Sequence, residues 1–433
     1  MPHAKLSILA LCAMALAMPV SLQAQHSPVD EAVEQFAPAI IEIRHQIHQY
    51  PEMGNREFNT ARLVADHLRS LGMDVQTNIA HTGVVGILKG GREGPVVAVR
   101  ADMDALPVRE ATDLPFQSTV EATYLGKEVG VSHACGHDSH TAVQLGVASV
   151  LASMRAEIPG TIKFIFQPAE EGPPPGEQGG ASLMFEEGVL DNPRPGAVFG
   201  LHTLAAMEVG KVGFTVGPAL AAVDQFIIKI RGKQGHGASP HLSIDPIVMA
   251  AQAIMKFQTI RSRTLNPLQP SVITVGIVRG GERFNIIPGE VYLEGTVRTY
   301  DPDVRDLVEQ RMNQILDGIT GMDGGSYELD YQRGTPATIN DPELARHMLP
   351  TVERVVGAEN LIELDPTMGG EDFAIFANEV PGFFFRLGMV KPGTTSGGHH
   401  TPTFRADDSS IPVGIRVMSN LLLDYLKAGI QAQ

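Results

Sequence analysis

The chain has 433 residues, 43% of them hydrophobic, and a formal net charge of -16. This length exceeds what one ordinary hydrophobic core supports, so it predicts two domains. A chain with this net negative charge lacks the positive charge that would neutralise a phosphate backbone, so we do not expect nucleic-acid binding.

The N-terminal segment has the pattern of a secretory signal peptide, with Lys5 ahead of an apolar run over residues 6–22. We therefore predict a signal peptide over residues 1–24 and an exported protein, periplasmic or secreted, that leaves the membrane after cleavage. The alternative is an uncleaved anchor, although the run is short for a membrane span. Cleavage leaves one cysteine, Cys135, which is then either an inert core residue or a functional thiolate, because it has no disulfide partner.

Helices and strands are predicted to alternate over the first half of the mature chain. The run at 96–99 is apolar throughout, as expected of a strand that is covered on both faces. The alternation predicts a parallel α/β sheet. The predicted elements are a helix beginning at Pro28, a helix at 59–71, strands at 83–88 and 96–99, a helix at 141–154, a strand at 161–166, a helix at 181–187 and a strand at 197–200.

The pattern changes near Gly217, where hairpin-like strands and two helices predict a smaller α+β domain with one exposed sheet edge. The α/β pattern returns after Pro336 and ends in a helix at 409–426. We therefore predict an α/β domain in two parts, 25–216 and 335–433, with an inserted domain at 217–334. The elements predicted in the insert are strands at 225–231, 271–279, 291–299 and 327–333, and helices at 245–260 and 301–319.

Residues 132–140 contain three histidines and one cysteine, an unusual density. Cys135 and His137 are two positions apart across a glycine, so both can face one metal ion from a loop. Thiolate and imidazole ligands suit zinc and similar metals. Asp138 or His140 could hold a ligand ring in place. The alternative is a polar turn around a buried cysteine.

Acidic pairs follow two of the predicted strands, at the sheet edge where α/β proteins bind ligands. Adjacent side chains on an extended backbone point in opposite directions, so one of Glu170 and Glu171 can bind metal while the other acts as a base. Asp102 and Asp104 could orient a ligand histidine or touch a metal. They could also be solvated loop acids.

Three further positions are candidates. His202 ends a predicted strand, although a lone histidine is more often structural. His399 and His400 lie on a glycine-rich loop, and either could be a ligand. The segment 369–373 resembles a helix start that could line the site, with acids that a helix dipole also favours.

Together, the segments at 100–107 (RADMDALP), 133–138 (HACGHD) and 168–172 (PAEEG) resemble the metal-dependent amidohydrolases that include indole-acetyl-amino-acid hydrolases, hippurate hydrolases and N-acyl-amino-acid carboxypeptidases, relatives of aminoacylase and carboxypeptidase G. The similarity extends from residue 44 to residue 402. It implies a catalytic domain of the two-metal exopeptidase type that holds two divalent ions (Mn, Zn, Co or Ni), with Glu170 as general base. The metal ligands implied by the resemblance are Cys135, His137, Glu171, His202 and His400.

The resemblance also implies that the insert is a dimerisation lid and that the protein is a homodimer. His236 looks like the histidine that polarises the scissile carbonyl, often in the partner subunit's site. Asn285 and Arg298 match positions that hold the substrate carboxylate, which suits the bidentate geometry of arginine. Asp102 is a further catalytic candidate. More distant relatives have a ligand histidine at the position of Arg100, so this chain fits the cysteine-containing subgroup better.

These features predict hydrolysis of the amide bond of N-acyl amino acids, or of similar conjugates with a free carboxylate. A dipeptidase or aminopeptidase of the same broad family is the enzymatic alternative. A metal-binding or solute-binding protein is the non-catalytic one, and it would not need Glu170. No Gly-x-Ser-x-Gly segment supports a serine hydrolase. The loop at 172–180 is longer than the common form, so substrate identity should not be inherited from any one relative.

Overall fold

A computed structural model describes residues 27–429. The predicted signal peptide at 1–24 lies outside the described residues. Within the described part of the chain, no helix is both long and apolar enough to span a membrane. The helices are α1 (Pro28–Gln49), α2 (Phe58–Ser70), α3 (His137–Ser153), α4 (Gly180–Glu186), α5 (Pro246–Thr259), α6 (Pro302–Asp323), α7 (Pro342–Val356), α8 (Phe373–Ala377) and α9 (Ser410–Ala428).

Eighteen strands are found within residues 27–429, and twelve of them form two larger sheets. They are β1 (Asp74–Ile79), β2 (Gly83–Lys89), β3 (Arg92–Asp102), β4 (Glu121–Tyr124), β5 (Lys127–Gly130), β6 (Pro159–Gln167), β7 (Val198–Glu208), β8 (Val212–Phe214), β9 (Gly217–Leu220), β10 (Ala222–Arg231), β11 (Gly235–His236), β12 (Ser271–Gly280), β13 (Ile286–Ile287), β14 (Glu290–Thr299), β15 (Ser326–Arg333), β16 (Thr338–Asn340), β17 (Leu361–Glu363) and β18 (Gly382–Val390).

The large sheet has eight strands in the order β1-β2-β6-β3-β7-β18-β8-β17. Its centre, from β6 to β18, is parallel, and so is the pair of β8 and β17, but β1 pairs with β2, β2 with β6 and β8 with β18 in antiparallel fashion. The α/β class is therefore confirmed, while the prediction of a purely parallel sheet is wrong at its edges. Strand direction at an edge depends on which neighbour a strand meets, and hydrophobic pattern does not encode that choice.

Both faces of this sheet are covered. Val97 and Val99 of β3 enter the main core beneath α1, α2, α3, α7 and α9, whereas Ala98 enters the opposite core with α4 and α8. This two-sided burial explains why the run at 96–99 is apolar at every position. It also leaves the carboxyl ends of β3 and β6 as the place where polar side chains can gather.

The second sheet has four antiparallel strands in the order β12-β14-β10-β15. Helices α5 and α6 pack against it around Phe226, Leu293 and Leu316, which are fully buried. All four strands fall between residues 222 and 333, inside the predicted insert. The domain boundaries at 217 and 334 stay predictions. Strand β12 forms one edge of this sheet, as the sequence predicted for an exposed edge.

Candidate metal centre

A cavity of about 630 Å³ opens where the carboxyl ends of β3 and β6 meet β7 and β18. Most of the polar residues that the sequence singled out line this cavity, although they come from segments far apart in the chain. The site residues in its wall are Cys135, Glu170, Glu171, His202, Arg298 and His400. His137 lies directly below them, buried at the first residue of α3.

The Cys135 thiol is the centre of this cluster. Its Sγ lies 3.4 Å from Nε2 of His202 and 3.3 Å from Nε2 of His400. His400 Nε2 also lies 3.0 Å from Oε1 of Glu171. Burial raises the pKa of Cys135 to about 12, so the thiol keeps its proton unless a cation stabilises the thiolate.

Gly136 makes the turn that lets Cys135 and His137 serve the same site. Its φ of +95° lies in the left-handed region, and a Cβ at this position would be 2.3 Å from Oγ1 of Thr203. Only glycine therefore fits between the two candidate ligands without displacing its neighbours. The Cys-Gly-His spacing in the sequence has this steric origin.

Hydrogen bonds fix which ring nitrogen of two histidines faces the cluster. Nδ1 of His137 lies 3.1 Å from Oδ1 of Asp104, and Nδ1 of His202 lies 2.7 Å from the carbonyl oxygen of Thr203. Both partners only accept hydrogen bonds, so Nδ1 carries a proton in each ring and Nε2 is the nitrogen left for a metal. Nε2 of His137 is buried without a hydrogen-bond partner among the described residues.

Two other histidines of the cluster have their lone pairs engaged. Nε2 of His140 accepts the backbone N–H of Thr203 at 2.9 Å, and Nε2 of His399 accepts that of Ala205 at 3.1 Å. Each ring must then carry its proton on Nδ1. The sequence left His399 and His400 as alternatives, and these bonds favour His400, whose Nε2 lies among the thiol and carboxylate donors.

The available donors fit a pair of divalent cations. Donor atoms of Cys135, Glu171 and His400 lie within 4.8 Å of one another, and so do those of His137, Glu170 and Glu171. A thiolate, imidazoles and carboxylates are the donor set of zinc and similar ions. Nε2 of His137 is buried without a hydrogen-bond partner among the described residues, so this nitrogen is available to bind a metal ion.

Glu170 projects into the cavity from a turn, not from the extended backbone that the sequence suggested. Ala169 has a φ of +50°, which ends the strand direction of β6 and starts the turn that carries Glu170 and Glu171. Burial, with the nearby charges of Glu371 and Asp372, raises the pKa of Glu170 well above its usual range. Its carboxyl group therefore holds a proton more tightly than an exposed glutamate does.

Asp102 does not line the cavity. Its buried carboxylate lies 2.7 Å from Nδ1 of His140 and 2.8 Å from Nη1 of Arg100. It therefore holds other side chains in place, and the catalytic role predicted for Asp102 stays a prediction. Asp104 is the acid bonded to His137.

Sequence reasoning missed Arg100 as part of the site. Its guanidinium contacts Asp102, Glu371 at 3.0 Å and Asp372 at 2.8 Å. The available signal was a charged residue within a strand that is otherwise apolar, which requires buried partners of opposite charge.

His236 and Asn285 are adjacent to each other but apart from the cavity. β11 and β13 pair, and the N–H of Gly237 donates to the carbonyl oxygen of Asn285 at 2.9 Å. The His236 side chain is exposed. Neither residue belongs to the cavity wall formed by residues 27–429 of this single chain.

The chain is similar to proteins of known class. Residues 98–424 match Peptidase family M20/M25/M40. It is 38% identical to the N-acetyl-L-cysteine deacetylase of Bacillus subtilis, over 90% of this chain and 89% of that protein. It is also 38% identical to thermostable carboxypeptidase 1 of Saccharolobus solfataricus, over 87% of this chain and 92% of that protein.

The structure resembles the crystal structure of the YXEP protein of Bacillus subtilis, described as a dinuclear metal-binding peptidase of the M20 family. The TM-score is 0.76 and the identity 33%, over 91% of this chain and 99% of that chain. The resemblance inferred from the three sequence segments is thus confirmed, together with the two-domain class of fold and a metal-dependent hydrolase activity on amides. The chain belongs to Peptidase family M20/M25/M40, as a metallo-amidohydrolase.

Proposed function

We propose that this enzyme hydrolyses the amide bond of N-acyl amino acids and releases a carboxylic acid and a free amino acid. The observation that carries the proposal is one cavity that holds both a carboxyl group with a raised pKa, Glu170, and a guanidinium without an acidic partner in the described chain, Arg298. The first suits proton transfer during hydrolysis, and the second suits a free carboxylate. The N-acetyl-L-cysteine deacetylase name of a relative supports an acylated amino acid as substrate.

We propose that two divalent metals, of the Mn, Zn, Co or Ni type, bind to five side chains of this cluster. When bound, such ions polarise the scissile carbonyl and acidify water. The proposed ligands are Cys135, His137, Glu171, His202 and His400.

The protein groups then have separate tasks. Glu170 removes a proton from the attacking water and passes it to the nitrogen of the leaving amine. Arg298 holds the carboxylate of the amino acid, which fixes the amide relative to Glu170. Asp104 keeps the His137 ring in the tautomer that a ligand needs.

The substrate class is tested by amino-acid release from EDTA-treated protein to which Mn, Zn or Co is returned. We expect metal-restored hydrolysis of N-acetyl, N-benzoyl or indole-acetyl amino acids, because the cavity offers Arg298 to their carboxylate. Free dipeptides are the matched comparison. Cleavage of dipeptides alone would favour the peptidase alternative, for which the carboxypeptidase name of a relative gives some support. Absence of release from every substrate with every metal would overturn the proposal.

Glu170→Gln should reduce kcat by at least about 100-fold, because the amide cannot accept the proton of water. Two metals per subunit should remain, as measured by elemental analysis of the dialysed protein. Glu177→Gln is a suitable control, because Glu177 is also near the site loop but pairs with Arg56 at the surface. Near-normal turnover of Glu170→Gln would remove Glu170 from the role of base.

Asp104→Asn should weaken metal binding by about 10- to 100-fold, because the carboxylate no longer fixes the Nδ1 proton of His137. Competition with a chromogenic chelator measures this affinity directly. Asp113→Asn provides the control, since Asp113 is exposed and pairs with Arg405. Equal metal affinity of the Asp104 variant and the wild type would contradict the orienting role.

We further propose a homodimer in which each insert supplies His236 and Asn285 to the partner's cavity. Support comes from their separation from the cavity of their own chain, and from the exposed apolar side chains of Phe284 and Ile286 beside them. A histidine delivered in this way would stabilise the oxyanion that forms at the scissile carbonyl.

Mixing two inactive variants tests this arrangement. A 1:1 mixture of His236→Ala and Glu170→Gln, refolded or exchanged together, should recover roughly a quarter of wild-type activity, since half of the dimers then contain one complete site. Each variant alone is the control. Dimers that form in the mixture without recovered activity would show that His236 acts within its own chain or not at all.

A further inference from the structure

A second arginine, Arg386, lines the cavity and plays no part in the proposed reaction. It lies on β18 directly opposite His202 of β7, in the centre of the large sheet. Its guanidinium carbon is 5.4 Å from the centre of the Phe384 ring. Within residues 27–429 the structure gives Arg386 no hydrogen bond and no ion pair.

The fully buried arginines of the catalytic domain are arranged differently from Arg386, which is partly exposed in the cavity wall. Arg44 is bonded to Asp138 at 2.9 Å and to Asp408 at 2.5 Å. Arg100 contacts three carboxylates. A buried guanidinium without such partners is costly, so this fold elsewhere supplies acids for each one.

The surroundings of Arg386 increase that cost. It lies opposite His202 in the sheet, and His399 lines the same cavity. The acids whose charge acts on Arg386 are Glu371 and Glu170, but neither forms an ion pair with it among residues 27–429. A cation placed beside candidate ligands of metal cations therefore lacks a directly bonded negative group in the described chain.

The two cavity arginines stand on different domains. Arg298 is on β14 of the inserted domain, with Nη1 3.6 Å from the position that a Cβ on Gly370 would occupy. Arg386 is on the large sheet beside the metal centre. The cavity wall also includes Leu204, Phe214 and Leu220, which cannot bind a charge. A carboxylate bound to Arg298 of the inserted domain uses one of the two guanidinium groups, and Arg386 of the large sheet is the other.

We propose that Arg386 recognises a second carboxylate of the substrate, so that the enzyme prefers dicarboxylic N-acyl amino acids. This inference rests on the proposed function. Guanidinium and carboxylate match in charge and in bidentate geometry. The second carboxylate can come from the amino-acid side chain or from the acyl group, and the two sources are separable.

Two matched substrate pairs test the proposal with the metal-loaded enzyme. N-acetyl-glutamate against N-acetyl-glutamine places the charge on the leaving amino acid, and N-succinyl-alanine against N-butanoyl-alanine places it on the acyl group. We expect kcat/KM to be about 10- to 100-fold higher for the charged member of one pair, as expected of a charge-assisted hydrogen bond. The pair that responds identifies the source of the carboxylate.

Arg386→Met should abolish that preference, mainly by raising KM for the charged substrate, while the neutral member changes by less than about 3-fold. Arg386→Lys should restore part of it, because lysine keeps the charge but not the bidentate geometry. Arg194→Met, at an exposed surface pair with Glu379, is the control. Calorimetry with the free dicarboxylic product should show the same loss of affinity in Arg386→Met, independently of turnover.

Three results would overturn the inference while leaving the proposed function intact. One is hydrolysis of all four substrates without any preference for charge. Another is an equal loss of kcat for all four in Arg386→Met, which would place Arg386 at the reacting carbonyl. The third is an unchanged preference in that variant, provided its circular dichroism and metal content are normal. Absence of hydrolysis of all four by the wild type would instead count against the proposed function.

Discussion

The buried guanidinium of Arg100 is the interaction on which the rest of the site depends. It joins Asp102, at the end of β3, to Glu371 and Asp372, which lie on the other side of the inserted domain in the sequence. Breaking a buried ion pair of this kind typically costs about 3–5 kcal/mol, because the remaining charge stays buried without a partner. The two halves of the catalytic domain are therefore held in register at the point where catalysis occurs.

A chain of hydrogen bonds connects this ion-pair cluster to the candidate metal ligands. Asp102 holds His140, whose Nε2 receives the N–H of Thr203, and the carbonyl oxygen of Thr203 in turn fixes His202. A residue that never lines the cavity thus sets the tautomer of one that does. The same acids, Glu371 and Asp372, raise the pKa of Glu170. Glu371 and Asp372 thus both pair with Arg100 and raise the pKa of Glu170.

Sequence reasoning was strongest where the chemistry is local. Cys135, Gly136 and His137 form one turn, and the chain beyond β6 carries Glu170 and Glu171, so motif spacing alone was enough to predict that they belong to a site. The roles given to these residues stay predictions. Helix α1 was also predicted from its start, where Ser27 and Asp30 form a capping box.

What the sequence could not provide depends on long-range pairing. The preference for His400 over His399 rests on the N–H of Ala205, which lies nearly two hundred residues away and donates to Nε2 of His399. The importance of Arg386 depends on its register with His202 and on the lack of an ion pair to any acid in the described chain. The antiparallel edges of the sheet and the hairpin of β4 and β5 escaped prediction for a related reason, since short, half-exposed strands lack a strong hydrophobic pattern.

Charge explains how an acidic protein can act on anionic substrates. The net charge of -16 opposes the approach of a carboxylate, but charges separated by more than about 8 Å of physiological saline are largely screened. Inside the cavity, shielded from that solvent, the field is set by the nearest groups, and Arg298 and Arg386 are the cations there without an acid partner in the described chain. In the proposed function these guanidinium groups determine which anions are bound, while the surface acids mainly keep the protein soluble. Selection of the substrate would then depend on local charge at two positions, and the overall charge would have little influence on it.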